Sequence, residues 1–180
     1  MGKHAVLKIR QALFRGLLLW AVLAASGPAV GDDRLPEAEE RTEAFLYYAV
    51  ARGTHLTAVS RAFPPEKDAH TLGRAMLEAL MEGPAESGLK RLFPQGTRIN
   101  ALFVTGNGEA YVDIGLDRPD LPPGDTMTEY LRIYSLVNTL TVNIPEIRQV
   151  KILVNGDETS SLGGHISLDT LFKTNMLIVK

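Results

Sequence analysis

The stretch from Thr126 to Asn143 constrains the fold more than any other. It runs without Gly or Pro, Asp125 or Thr126 can cap its start, and it stops just short of Pro145. Met127, Tyr130, Tyr134 and Val137 fall on one stripe at helical spacing, and Ile133, Leu140 and Ile144 widen it. A shorter helix is predicted over Lys67–Met81, with Leu72, Met76, Ala79 and Leu80 on one face and Ala75 beside them. Asp68 or Thr71 can cap it, and Gly83-Pro84 stops it. Everything else with a pattern is strand-length. A chain that pairs two such helices with short strands must bury the helix stripes against a sheet.

The strand candidates begin with Ala44–Val50, dense in aromatic and branched residues, and His55–Phe63, which Pro64-Pro65 ends. Arg52-Gly53-Thr54 is the turn between them. Arg98–Thr105 and Ala110–Ile114 flank Gly106-Asn107-Gly108, a hairpin signal because Asn-Gly supplies positive φ. Val150–Val154 is followed by Asn155-Gly156 and by a predicted return strand at His165–Leu168, behind Gly163-Gly164. The order strand, strand, helix, hairpin, helix, hairpin gives an α+β class: a two-layer α/β sandwich with two helices packed on one face of a small mixed sheet. The apolar tail Asn175–Val179 reads equally as an edge strand or a docking segment.

The first residues do not belong to that core. Lys3, Lys8, Arg10 and Arg15 precede an uninterrupted apolar run from Gly16 to Ala25, the order of a secretory leader. The run is about half the roughly 20 residues that span a bilayer. Small residues place cleavage after Ser26 or after Gly31, and a retained signal anchor is the alternative. Residues 1–31 are therefore read as signal peptide or anchor, 32–42 as a polar spacer, 43–172 as the domain and 173–180 as a tail. The chain has no Cys, so an acylated cysteine, a disulfide and a cysteine nucleophile are all ruled out. With four of the 19 basic residues in the leader, 15 remain against 21 acidic ones, a formal charge of −6 for the exported part. That sign, with no basic cluster, argues against nucleic acid as a partner.

No catalytic, cofactor or metal constellation emerges. The histidines are His4, His55, His70 and His165, none with HExxH spacing, and no G-x-S-x-G, GxGxxG or GxxxxGK[ST] occurs. His165 reads as a turn histidine bonding its own backbone or Asp169. Asp113, Asp117, Asp120 and Asp125 are spread through a proline-containing stretch that does not match a calcium loop.

An ordered series of segments resembles the GerMN domain family of sporulation and spore germination proteins. It comprises Ala79-Leu80-Met81-Glu82-Gly83-Pro84, Gly88-Leu89, Phe93-Pro94-Gln95-Gly96-Thr97, Gly108-Glu109-Ala110-Tyr111-Val112-Asp113, Ser135-Leu136-Val137-Asn138-Thr139-Leu140, Val150-Lys151-Ile152-Leu153-Val154-Asn155-Gly156 and Gly164-His165-Ile166-Ser167-Leu168. The resemblance implies an exported, non-enzymatic α/β domain similar in plan to the ring-building motifs of envelope secretion complexes. Asn138, Thr139, Gly164 and His165 stand at its hallmark positions. Asn138 and Thr139 are expected to tie the second helix to a neighbouring loop, because buried amides and hydroxyls need partners.

The expected role is structural or assembly work in the cell envelope, periplasmic or on the outer face of the cytoplasmic membrane, through envelope proteins or cell-wall components. The membrane would be met only through the N-terminal segment, if that segment is uncleaved. Two alternatives stand beside it: a binding module with a concavity lined by Tyr47, Tyr48 or Tyr111, and a hydrolase with a tertiary site around His165.

Overall fold

The computed structural model describes residues 41–66, 68–117 and 125–180. The leader, most of the spacer and the prolines at 119, 122 and 123 lie outside them. The α+β class holds, with the strands divided between two three-stranded sheets.

In the first sheet the aromatic strand β1 (Thr42–Val50) is central, flanked by β2 (Leu56–Phe63) and by a two-residue strand β3 (Leu89–Lys90), both antiparallel to it. Gly88-Leu89 reads as loop, so β3 carries no strand signal of its own. Helix α1 (Ala69–Glu82) follows β2. Asp68 caps it, Oδ1 accepting from Thr71 N–H at 2.8 Å, and the chain breaks out at Gly83. Tyr48 fastens β1 to α1 by donating its hydroxyl to Ala79 O at 3.1 Å. Burial pushes that phenol up to about 12, so it remains a neutral donor at ordinary pH.

The second sheet has β5 (Glu109–Gly115) at its centre. It pairs antiparallel with β4 (Arg98–Val104) across the Asn-Gly turn and parallel with β6 (Gln149–Val154). Helix α2 (Thr126–Asn143) is the crossover between β5 and β6, capped by Asp125, one of the two residues the sequence offers. Ala110, Val112 and Ile114 are fully buried between the layers. Gly73 of α1 lets that helix approach β4 and α2: a Cβ there would lie 2.8 Å from Leu102 Cδ2.

One expectation is overturned and another holds only in part. The return strand at His165–Leu168 does not form. After the Asn155-Gly156 turn the chain wraps irregularly along β6, bridged to it only at Asp157 and Phe172. A turn fixes where the chain reverses, and pairing needs a following run of strand formers that residues 157–164 lack. The stripe on α2 holds at Ile133, Val137, Leu140 and Ile144, which are buried, but Met127 is 45% exposed and Tyr130 and Tyr134 lie at the margin, while Leu131 and Leu136 are fully buried in their place.

The tail proves to be a docking segment. After a short 3-10 turn at Met176–Ile178, Lys180 N–H donates to Leu56 O at 2.9 Å and Val179 bridges Leu56 in parallel.

Candidate functional site

The buried face of α2 carries Glu129, Arg132, Ser135, Asn138 and Thr139, all under 10% exposed. A polar side chain in that position must find partners or forfeit about 1–3 kcal/mol. All but Ser135 do so by bonding the backbone of another segment.

Glu129 is the most committed. Its Oε1 accepts from Leu162 N–H at 3.0 Å and Gly163 N–H at 2.8 Å, and its Oε2 accepts from His165 N–H at 2.8 Å with the ring Nδ1 at 3.0 Å. Burial works to raise the carboxyl's pKa, but the N–H groups of Gly163 and His165 and the imidazole outweigh it and hold the pKa below the usual Glu value. An ionised carboxylate only accepts, so Nδ1 carries the ring hydrogen on this contact. Gly164, at φ +92, turns the loop left-handed so that the flanking amides converge, a nest built around a carboxylate from the chain itself. His165 thus bonds Glu129 and not Asp169, which accepts from Ser167 Oγ at 3.0 Å.

One turn further along, Arg132 Nε donates to Leu92 O at 2.7 Å. That bond pins the loop whose Leu92 and Phe93 enter the core. Burial works against the Arg132 charge and nearby Glu129 works for it.

Asn138 and Asn175 exchange a reciprocal pair: Asn138 Nδ2 donates to Asn175 O at 2.8 Å, and Asn175 N–H donates to Asn138 Oδ1 at 2.9 Å. Asn175 Nδ2 also donates to the Tyr130 hydroxyl, and Thr174 to Thr141. Thr139 and Asn143 turn to β1. Tyr47 N–H donates to Thr139 Oγ1 at 3.3 Å, while Asn143 accepts from Phe45 N–H and donates to Phe45 O, both at 2.8 Å. The partner of Asn138 is thus the tail, and that of Thr139 is a strand edge. Asn138 and Thr139 do not meet Gly164 and His165 in one cluster; the helix carries each to its own segment.

Ser135 is the exception, fully buried with its hydroxyl unbonded. Ser135→Ala is expected to raise unfolding stability by about 1 kcal/mol in denaturant titration. A loss of that size would show that the hydroxyl has a partner.

Sequence reasoning missed Glu129 and Arg132. Their i, i+3 spacing reads as a solvated ion pair, and the available signal was Gly163-Gly164, a pair able to gather amides around an anion. Tyr47 and Tyr48 are core residues, 2% and 4% exposed, so they line no open concavity. Tyr111 donates its hydroxyl to Glu109 at 3.2 Å. Of the aspartates, Asp113 accepts from Gly156 N–H and Asn100 Nδ2, Asp117 pairs with Arg98 and Asp125 caps α2. Asp120 lies outside the described residues. Among these residues no three His, Asp or Glu side chains gather as metal ligands.

The family model for sporulation and spore germination, Germane, matches residues 45–160. The chain belongs to that family. No curated protein matches it. The Germane fold is shared with solved structures at low identity. The tandem GerMN domains of the sporulation protein GerM from Bacillus subtilis align with a TM-score of 0.58 at 19% identity, over 74% of this chain and 46% of that one. This chain therefore spans about half of the tandem structure. The first GerMN domain of GerM aligns at 0.53 and 19%, over 73% and 97% of the two chains. A protein from Clostridium perfringens described as a lipoprotein aligns at 0.52 and 18%, over 77% and 91%. The Germane match contains Glu129, Arg132, Asn138 and Thr139 and ends just before the Gly163–His165 nest.

Proposed function

We propose that this Germane domain is a non-enzymatic scaffold of the cell envelope, exported by its N-terminal leader and acting through contacts with envelope proteins or cell-wall components. The observation that carries the reading is that Glu129, Arg132, Asn138 and Thr139 spend their polar groups on the backbone of their own chain. Chemistry on a substrate needs groups held free to meet it. These position loops, as a scaffold requires. Export is supported by the basic-then-apolar order of residues 1–25. Among the described residues no helix is long and apolar enough to cross a membrane.

A hydrolytic site is the second reading, favoured by one observation: the His165 side chain is 39% exposed and sits 3.0 Å from a buried carboxylate. His165→Ala in the full chain separates the two. The scaffold reading expects a folded protein recovered in the envelope fraction, crosslinked to protein or cell wall at the wild-type level. A folded variant that has lost a hydrolytic activity present in the wild type would overturn it, as would a wild-type chain retained in the cytoplasm.

A further inference from the structure

The outer strand edges of the two sheets are treated differently. Where the short β3 does not reach β1, the outward groups of Phe45 and the amide of Tyr47 are taken by Asn143 and Thr139 of α2. β4 is bulged at Asn100, and Arg74 takes the Ile99 and Asn100 carbonyls. β6 is bridged by Phe172 and by Asp157. Bulges, caps and coverings of this kind are how sheets avoid pairing with other chains.

Among the described residues β2 has none of them beyond its first residue. Its register against β1 is unbroken from Leu56 to Phe63, and it contains no Pro, Lys or bulge. Among the described residues the tail meets β2 at Leu56. Which β2 groups face outward follows from β1. The Phe45 and Tyr47 amides point away from β2, so their opposite residues, Ser60 and Ala58, also point away from β1. Ala62, opposite Glu43, follows by alternation. Among the described residues Ala58, Ser60 and Ala62 therefore present a run of open backbone groups, and their small side chains leave room for a facing strand.

We infer that this edge pairs antiparallel with β2 of a second copy, about a twofold axis at Ser60. The inference rests on the scaffold reading above and names its partner. Self-pairing is selected by register. Centred on Ser60, Ala58 faces Ala62 of the other copy, all three open residues exchange both N–H and C=O, and Arg61 faces Val59. Centred on Arg61, the two guanidiniums would be directly opposed, which is unfavourable. Centred on Val59, Ala62 would have to face Leu56, whose carbonyl already accepts from Lys180. One register therefore uses the whole open edge without opposing like charges.

The absence of native cysteine gives a clean test. Full chain carrying Ser60→Cys, exported and mildly oxidised, is expected to form a reductant-sensitive dimer, since paired positions lie at about 5.5 Å between Cα atoms, within disulfide reach. Phe103→Cys, 64% exposed on the other sheet, controls for collision and should stay monomeric. Ser60→Pro removes the central donor at an edge position that tolerates proline, and should weaken dimerisation in sedimentation at least about tenfold with an unchanged far-UV spectrum. Equal dimer yield from Ser60→Cys and Phe103→Cys, or wild-type dimerisation by folded Ser60→Pro, overturns the inference. An adduct of Ser60→Cys with a different protein and no dimer overturns the second copy as partner but leaves the scaffold reading standing. No adduct of any kind, together with no protein or cell-wall crosslink of the wild type, overturns both.

Discussion

Replacing Glu129 by Ala is expected to destabilise the domain by about 3–5 kcal/mol, the range for removing one member of a buried charged network. The substitution leaves the amides of Leu162, Gly163 and His165 without their acceptor, and it withdraws the carboxylate that favours the Arg132 charge. His165→Ala removes one ring contact on a side chain 39% exposed and should cost only about 1 kcal/mol. The contrast separates a nest that folds around a carboxylate from one held by the imidazole. Glu129→Gln keeps the shape but sets an amide donor against N–H donors, and should fall close to Ala. Chemical denaturation gives the magnitudes. Hydrogen exchange should show faster exchange at residues 162–166 in Glu129→Ala before any change in β5, and uniform loss would show that the nest does not open separately.

The same carboxyl sets an acid dependence. Its folded pKa lies below the unfolded one, about 4.3 for Glu, so its stabilisation is fully present above that value and is lost as the pH falls through the folded value. Wild type should therefore lose stability on acidification relative to Glu129→Ala, the gap narrowing below about pH 4. Asp68 and Asp125, held low chiefly by their bonds to Thr71 and Thr128, bend both proteins' profiles the same way, and the comparison cancels them.

That network also shows where the sequence could be read and where it could not. Capping, the stop at Gly83 and the Asn-Gly hairpin are chemistry within a few residues; the stop and the hairpin stand where their signals placed them, and Asp68 and Asp125 are each one of the two caps offered. The order of elements placed the α+β class, and the resemblance placed the family. The Glu129 nest joins residues 33–36 positions apart, and no spacing rule reaches that far. The displaced part of the stripe on α2 has the same origin. Scoring apolar residues alone favoured Met127 and the tyrosines, whereas the true inner face mixes leucines with Glu129, Arg132, Asn138 and Thr139, tolerated because other segments supply their partners. Parallel pairing of β6 beside β5 was hidden behind a turn signal that spoke only for chain reversal.

Asn138→Ala should release the tail at a cost of about 2–3 kcal/mol, from two hydrogen bonds lost at a fully buried site and two backbone groups of Asn175 left unpaired. The effect should reach beyond α2. Asn175 begins the turn that brings Lys180 to Leu56, so loosening it also loosens the one cover on the β2 edge. Limited proteolysis is expected to clip residues 173–180 in Asn138→Ala while the wild type resists. Asn138→Asp keeps the acceptor for Asn175 N–H but sets a buried carboxylate against Asn175 O, a repulsion and desolvation that Ala avoids. It should release the tail at least as readily as Ala if the reciprocal pair holds it. Equal resistance of all three proteins would assign the docking to Ile178 and Val179, which pack against the core, and would make the polar pair secondary. If the pair does hold it, Asn138 reaches β2 through the tail, as Thr139 and Asn143 reach β1 directly. One helix would then control how much of each outer strand is left for another chain.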